Sequence, residues 1–236
     1  MSIWDWLRSA GEGGAGGPDR LLAGPRWAGG LFGGIADAST RRQVAYSMAL
    51  IALSAKMAKA DGVVVDLEVA AFEKMFVVPA GERRNVDRLF RLAQQDVAGF
   101  ETYAARVADF FGEDREALAD VLDGLFAIAG ADGAVHQAEY AYLERVAQIL
   151  GIDEARFERI AARHVIGAEG DPYVILGVER SATFVEIRVR YRRLAAENHP
   201  DILLGRGLPP AAAAIAHERM ARINRAFQRI AAERRE

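Results

Sequence analysis

From Arg41 to about Val165, apolar residues return every third or fourth position, and that spacing leaves little choice of fold. Val44, Met48, Ile51, Leu53 and Met57 keep it, as do Leu67, Ala71 and Met75. Val86, Leu89, Phe90 and Ala93 follow, then Tyr103, Val107, Phe110 and Phe111. Leu118, Val121, Leu122 and Leu125 precede Tyr142, Val146, Ile149 and Leu150. A stripe of this period is buried only by packing helix on helix. Strand-like alternation is nearly absent, and Val63-Val64-Val65 is too short to matter. Gly62, Pro79, Gly81, Gly99, Gly112, Gly133 and Gly151 punctuate the pattern as helix stops. The sequence therefore predicts an all-α bundle of about seven helices over residues 40–166.

The flanks differ from this bundle. Residues 1–39 are rich in glycine, which costs too much backbone entropy for a stable helix, and a flexible arm is expected. Trp4, Trp6 and Trp27 are unusual in such an arm. They suit either a fold back onto the bundle or contact with a membrane surface or partner groove. Gly167-Ala168-Glu169-Gly170 reads as a linker, and residues 171–236 form a second unit. That unit carries 12 arginines against 8 acidic residues, whereas the chain as a whole has a net charge of −3. Opposite signs in the two parts suggest two functional units, the basic one suited to an acidic partner surface. Nucleic acid is set aside as partner, because the arginines come with no aromatic stacking platform and no recognised binding motif.

The chain contains no cysteine, which removes disulfides, thiolate metal sites and cysteine nucleophiles. The longest uncharged run near the start, Trp27 to Ala36, falls far short of the roughly 20 apolar residues a membrane span needs. No apolar signal-peptide core follows Arg8. A cytoplasmic protein is expected, with peripheral contact to the inner membrane face through residues 1–39 as the alternative. No nucleophile constellation, phosphate loop or ligand cluster marks an enzyme.

The bundle contains an internal repeat. Ala58-Lys59-Ala60-Asp61-Gly62, with Glu68 beyond it, parallels Ala129-Gly130-Ala131-Asp132-Gly133 with Glu139. Aspartate, glycine and a later glutamate are spaced as in the second half of an EF-hand loop. Met57 and Lys59, or Ile128 and Gly130, stand where the first oxygen ligands belong, so a complete EF-hand is rejected. Two readings stay open. The motif is a tight turn whose glutamate favours the next helix N-terminus, or Asp61, Glu68, Asp132 and Glu139 converge on a weakly bound divalent cation. The repeat in its helical setting resembles the TerB-like domain, associated with tellurite resistance and membrane-linked stress systems. Metal binding implied by that resemblance maps onto the same four residues.

The C-terminal unit has its own order of motifs. Asp171-Pro172-Tyr173 opens a short helix that Leu176-Gly177-Val178 closes. Ser181 or Thr183 caps a second helix running to about Asn198, with Val185, Val189 and Leu194 facing inward and Tyr191 at the edge. Arg188, Arg192 and Arg193 share one sector of that helix, and Arg190 lies on another. Pro200 stops the helix within His199-Pro200-Asp201. After a loop, a third helix from about Ala211 to Arg234 offers Ile215, Met220, Ile223, Phe227 and Ile230 to an antiparallel partner.

This ordered set resembles the J domain of DnaJ-like cochaperones. The resemblance implies that His199, Pro200 and Asp201, with Arg188, Arg192 and Arg193, dock on a DnaK-type chaperone and stimulate its ATP hydrolysis. The chain would then activate a partner ATPase and have no chemistry of its own. Two departures stand out: Ile202 follows the tripeptide where the family is usually basic, and Leu203 to Pro210 is unusually apolar. A TerB-like domain followed by a C-terminal J domain looks like the DjlA type of DnaJ-like protein. That type often carries an N-terminal membrane segment, which is not evident here, so anchoring does not carry over. The competing function is a metal-responsive stress or interaction module with an ancillary J domain.

Overall fold

A computed structural model describes residues 37–61, 69–70, 72–73, 76, 78–79, 81–95, 99–164, 170–210 and 213–234. Most of the proposed arm, the first Asp-Gly turn through Glu68, and most of the linker lie outside these residues. The described chain is helical, with ten α-helices and no strand among the described residues. None of these helices is long and apolar enough to cross a membrane.

Helix α1 (Ala38–Asp61) is the axis of the bundle. The Asp37 carboxylate accepts from the Ser39 and Thr40 amides, at 3.3 and 2.6 Å, and so sets its start. Residues Val44 to Leu53 are buried without a break, so this helix is covered on every side. Around it pack α2 (Arg83–Gln95), α3 (Phe100–Phe111), α4 (Arg115–Ala129) and α5 (Gln137–Ile149). Gly124 on α4 allows the close approach to α1, since a Cβ there would lie 2.8 Å from Tyr46 Oη. Helix α6 (Glu154–His164) closes the bundle against α4.

The C-terminal unit contains α7 (Pro172–Leu176), α8 (Phe184–Glu197), α9 (Pro200–Gly205) and α10 (Ala213–Glu233). Asp171 Oδ1 accepts from the Tyr173 amide at 2.9 Å, and Gly177, at φ 64°, ends α7 in the left-handed conformation. Of the two candidate caps for α8, Thr183 is the one used: its Oγ1 accepts from the Glu186 amide at 3.3 Å, and Glu186 Oε2 accepts from the Thr183 amide at 2.7 Å. Helices α8 and α10 are antiparallel, because Phe184 and Tyr191 meet Phe227 while Asn198, at the far end of α8, meets Arg219. Tyr191 stacks on Phe227 with centroids 4.1 Å apart.

Three expectations need correction. Val185 and Val189 face outward at 71 and 60 % exposure, and the buried stripe of α8 is Ile187 and Leu194. Pro200 does not simply stop a helix. Asn198 ends α8, its Nδ2 donating to the Leu194 carbonyl, and Pro200 then starts α9 at a first-turn position that needs no amide. Finally, Ile215 does not serve the hairpin. Ile215, Ala216, Leu203 and Leu208 belong to the core of the bundle. The hairpin has its own small core of Tyr173, Leu176, Ile187, Leu194, Ile223 and Ile230.

Candidate functional site

The His199-Pro200-Asp201 corner sits at the end of the hairpin. His199 is the N-cap of α9: its Nδ1 accepts from the Asp201 amide at 3.3 Å. That bond leaves Nε2 as the outward-facing nitrogen of the ring. The side chains of His199 and Asp201 are 57 and 84 % exposed. The corner is therefore open to solvent, held in shape by the helix start and by Leu203, which is fully buried one turn later.

The arginines divide in two. Arg188 and Arg192, one turn apart on α8, are exposed. Arg193 is exposed as well but ion-paired, its Nε 2.7 Å from Glu197 Oε1. Arg190 turns the other way, half buried, and its Nε donates to the Leu176 carbonyl at 3.1 Å. Val185 and Val189 lie between the outward arginines, so the exposed face of α8 is mixed basic and apolar.

The acidic quartet is only partly within view. Glu68 and the side chains of Asp61 and Asp132 fall outside the described residues. Glu139 is buried, and its Oε2 accepts from the His136 amide at 2.8 Å, which fixes the first turn of α5. Gly133, at φ 120°, makes the turn before it. Glu139 thus performs the helix-start role expected of the turn reading. Among the described residues no three histidine or carboxylate side chains gather as a metal site.

A second constellation was not foreseen from the sequence. Arg219 of α10 reaches into the bundle, its Nη1 2.6 Å from Asp120 Oδ1 and its Nε 2.7 Å from Asp123 Oδ2. Arg163 Nη2 lies 2.7 Å and His164 Nε2 3.2 Å from the other oxygen of Asp123. Burial pushes the Asp123 carboxyl up, but Arg219, Arg163 and His164 outweigh it and hold it well below the usual carboxylate range. Burial lowers the His164 imidazole despite the pull of Asp123. At the rim, Arg206 Nη1 meets Glu116 Oε2 at 3.0 Å, and Arg222 donates to the Arg163 carbonyl. The signals were present: two aspartates in the otherwise uncharged run from Ala117 to Ala129 of α4, and Arg219 midway between Ile215 and Ile223 on one helix face.

Comparison with known proteins agrees with this architecture. The family described as Tellurite resistance protein TerB matches residues 47–162, and the family described as DnaJ domain matches residues 171–235. The chain is therefore a TerB domain followed by a C-terminal DnaJ domain. Relatives named Co-chaperone protein DjlA match it over most of its length. The one from Photobacterium profundum is 29 % identical over 235 residues, covering 87 % of this chain and 85 % of the relative. That from Vibrio cholerae serotype O1 is 26 % identical, covering 85 and 82 %. That from Escherichia coli (strain K12) is 30 % identical over 125 residues, covering 43 and 46 %. No solved structure matches significantly.

Proposed function

We propose that this chain is a co-chaperone that recruits a DnaK-type chaperone and stimulates its ATP hydrolysis. The observation that carries the reading is the open corner: His199 and Asp201 exposed on a helix start, at the end of a helix presenting Arg188 and Arg192. The DnaJ domain match and the name of the relatives support it. The exposed guanidiniums steer an acidic partner surface and set its orientation. The His-Pro-Asp corner then favours the partner's hydrolysing state through contacts made better in that state than in the resting one. His199 acts as a contact, not as a general base, and the chain regulates an enzyme without being one. The TerB domain serves as the targeting or sensing module.

The test is ATP turnover by a DnaK-type chaperone with and without this protein. Turnover rises with the wild type and stays at baseline with His199→Gln. Arg188→Ala/Arg192→Ala raises the concentration needed for half-stimulation by on the order of tenfold and makes it less sensitive to salt. Equal stimulation by wild type and His199→Gln, with the variant's circular dichroism unchanged, removes the reading.

A further inference from the structure

The face of α8 turned away from Arg188 and Arg192 borders a cavity of about 230 Å³ between the two domains. Six arginines line it: Arg156, Arg159 and Arg163 from α6, Arg190 and Arg193 from α8, and Arg219 from α10. Glu116, Asp120 and Glu197 are the lining carboxylates, and Asp123 lies behind them. Their engagements are specific. Arg156 pairs with Glu116 at 2.8 Å, Arg193 with Glu197 at 2.7 Å, Arg219 with Asp120 and Asp123, and Arg163 with Asp123. Arg159 and Arg190 have no carboxylate in ion-pair range among the described residues.

These two surplus cations come from different domains and flank the same backbone. A Cβ on Gly177 would lie 2.7 Å from Arg159 Cδ and 3.7 Å from Arg190 Nη2. Like charges do not gather in a half-buried site without a reason, since each disfavours the other. Two further donors sharpen the point. Arg219 is 4 % exposed and Arg163 10 % exposed in their side chains, yet Arg219 Nη2 and Arg163 Nε are buried without an acceptor among the described residues. Both atoms are closed to solvent, so they do not themselves reach into the cavity; the two guanidiniums add positive charge behind its wall.

We propose that this interdomain cavity is a binding site for a small phosphate-class oxyanion, with Arg159 and Arg190 as its principal ligands. A phosphate group brings several acceptor oxygens and close to two negative charges, matching two guanidiniums in a lining whose arginines outnumber its carboxylates. A single carboxylate from a peptide brings two oxygens and one charge, which leaves part of the set unmatched. The volume lies below the roughly 300–1,000 Å³ typical of larger ligands, so the anion is of the size of phosphate, pyrophosphate or a phosphomonoester head. The bound anion ties α6 of the TerB domain to α8, the helix that carries the docking arginines. It thereby gives a metabolite a direct hold on how the DnaJ domain is seated.

The experiment uses the full chain at constant ionic strength set with potassium chloride. Thermal melts and titration calorimetry are run with inorganic phosphate, pyrophosphate and glycerol 3-phosphate, up to about 10 mM. At least one raises the melting temperature and gives saturable heat, and the ranking of the three separates a free anion from an esterified one. Arg159→Glu weakens binding by at least about tenfold. Its melt in chloride alone does not fall below wild type, because Arg159 makes no hydrogen bond or ion pair among the described residues and its charge opposes that of Arg190. Arg159→Gln provides the same comparison with a smaller loss should the glutamate perturb folding. No melt shift and no heat with any of the three, or undiminished binding in both Arg159 variants, overturns the site.

Discussion

His164 makes the pH dependence of this fold a question about one imidazole. Its Nε2 faces Asp123 at 3.2 Å, while Nδ1 is buried without a partner among the described residues. A neutral ring donating from Nε2 satisfies that arrangement. A second proton on Nδ1 would have no acceptor, with Arg163 and Arg222 close by. The folded pKa is therefore below the ordinary 6.5. Below about pH 6.5 the unfolded chain takes up this proton before the folded one does, so stability falls as pH falls. Asp123, whose folded pKa is also depressed, adds a further loss below about pH 4, where the unfolded carboxyl protonates first. Urea unfolding between about pH 7.5 and 5 should show the first loss in the wild type. His164→Gln keeps a donor toward Asp123 and cannot titrate, so its slope should be flatter. Equal slopes would assign the acid sensitivity elsewhere. The other three histidines, His136, His199 and His217, are exposed.

At the scale of elements, α8 shows where periodicity informs and where it does not. Val185 and Val189 lie one turn apart, and so do Ile187 and Tyr191; both pairs satisfy a helical repeat. The spacing says helix but cannot say which stripe is covered. In a hairpin this small only one stripe is covered, by α7 and α10, and Ile187 with Leu194 takes it. The caps were more legible, because a side-chain oxygen at a helix start acts locally. Asp171, Thr183 and Gly177 stand where their chemistry places them. Thr183→Ala removes the hydroxyl of the capping box and should cost about 1 kcal/mol. The loss should show as faster amide exchange in the first turn of α8, with α10 protection falling less. An unchanged exchange rate in that turn would mean that packing of Phe184 on Phe227, not the cap, holds the helix start.

For the whole molecule, the charge asymmetry along the chain has a second meaning that composition alone does not expose. Part of the basic charge of the C-terminal unit faces the chain's own acidic bundle: Arg219 on Asp120 and Asp123, Arg206 on Glu116. The apolar stretch after the tripeptide has the same explanation. Leu203 and Leu208 are buried in the TerB core, so what looked like a departure within the DnaJ domain is its seat on the other domain. Single residues stood out in the sequence, but which of them pair did not, because the partners lie far apart in sequence and each side chain has an adequate local role. The consequence is thermodynamic. Two domains joined only by a linker unfold independently, whereas domains sharing a core and a buried ion cluster unfold together. Scanning calorimetry of the wild type should give one transition with equal calorimetric and van't Hoff enthalpies. Leu203→Ala empties a fully buried site and should cost about 2–5 kcal/mol. Arg219→Ala strands two buried carboxylates and should cost about 3–5 kcal/mol. Combined, they should split the melt in two, the smaller hairpin unfolding first, while His199 and Asp201 remain on an intact α8–α10 pair below that temperature. A double variant that still melts as a single unit would show that the two domains are held together by contacts other than this seat.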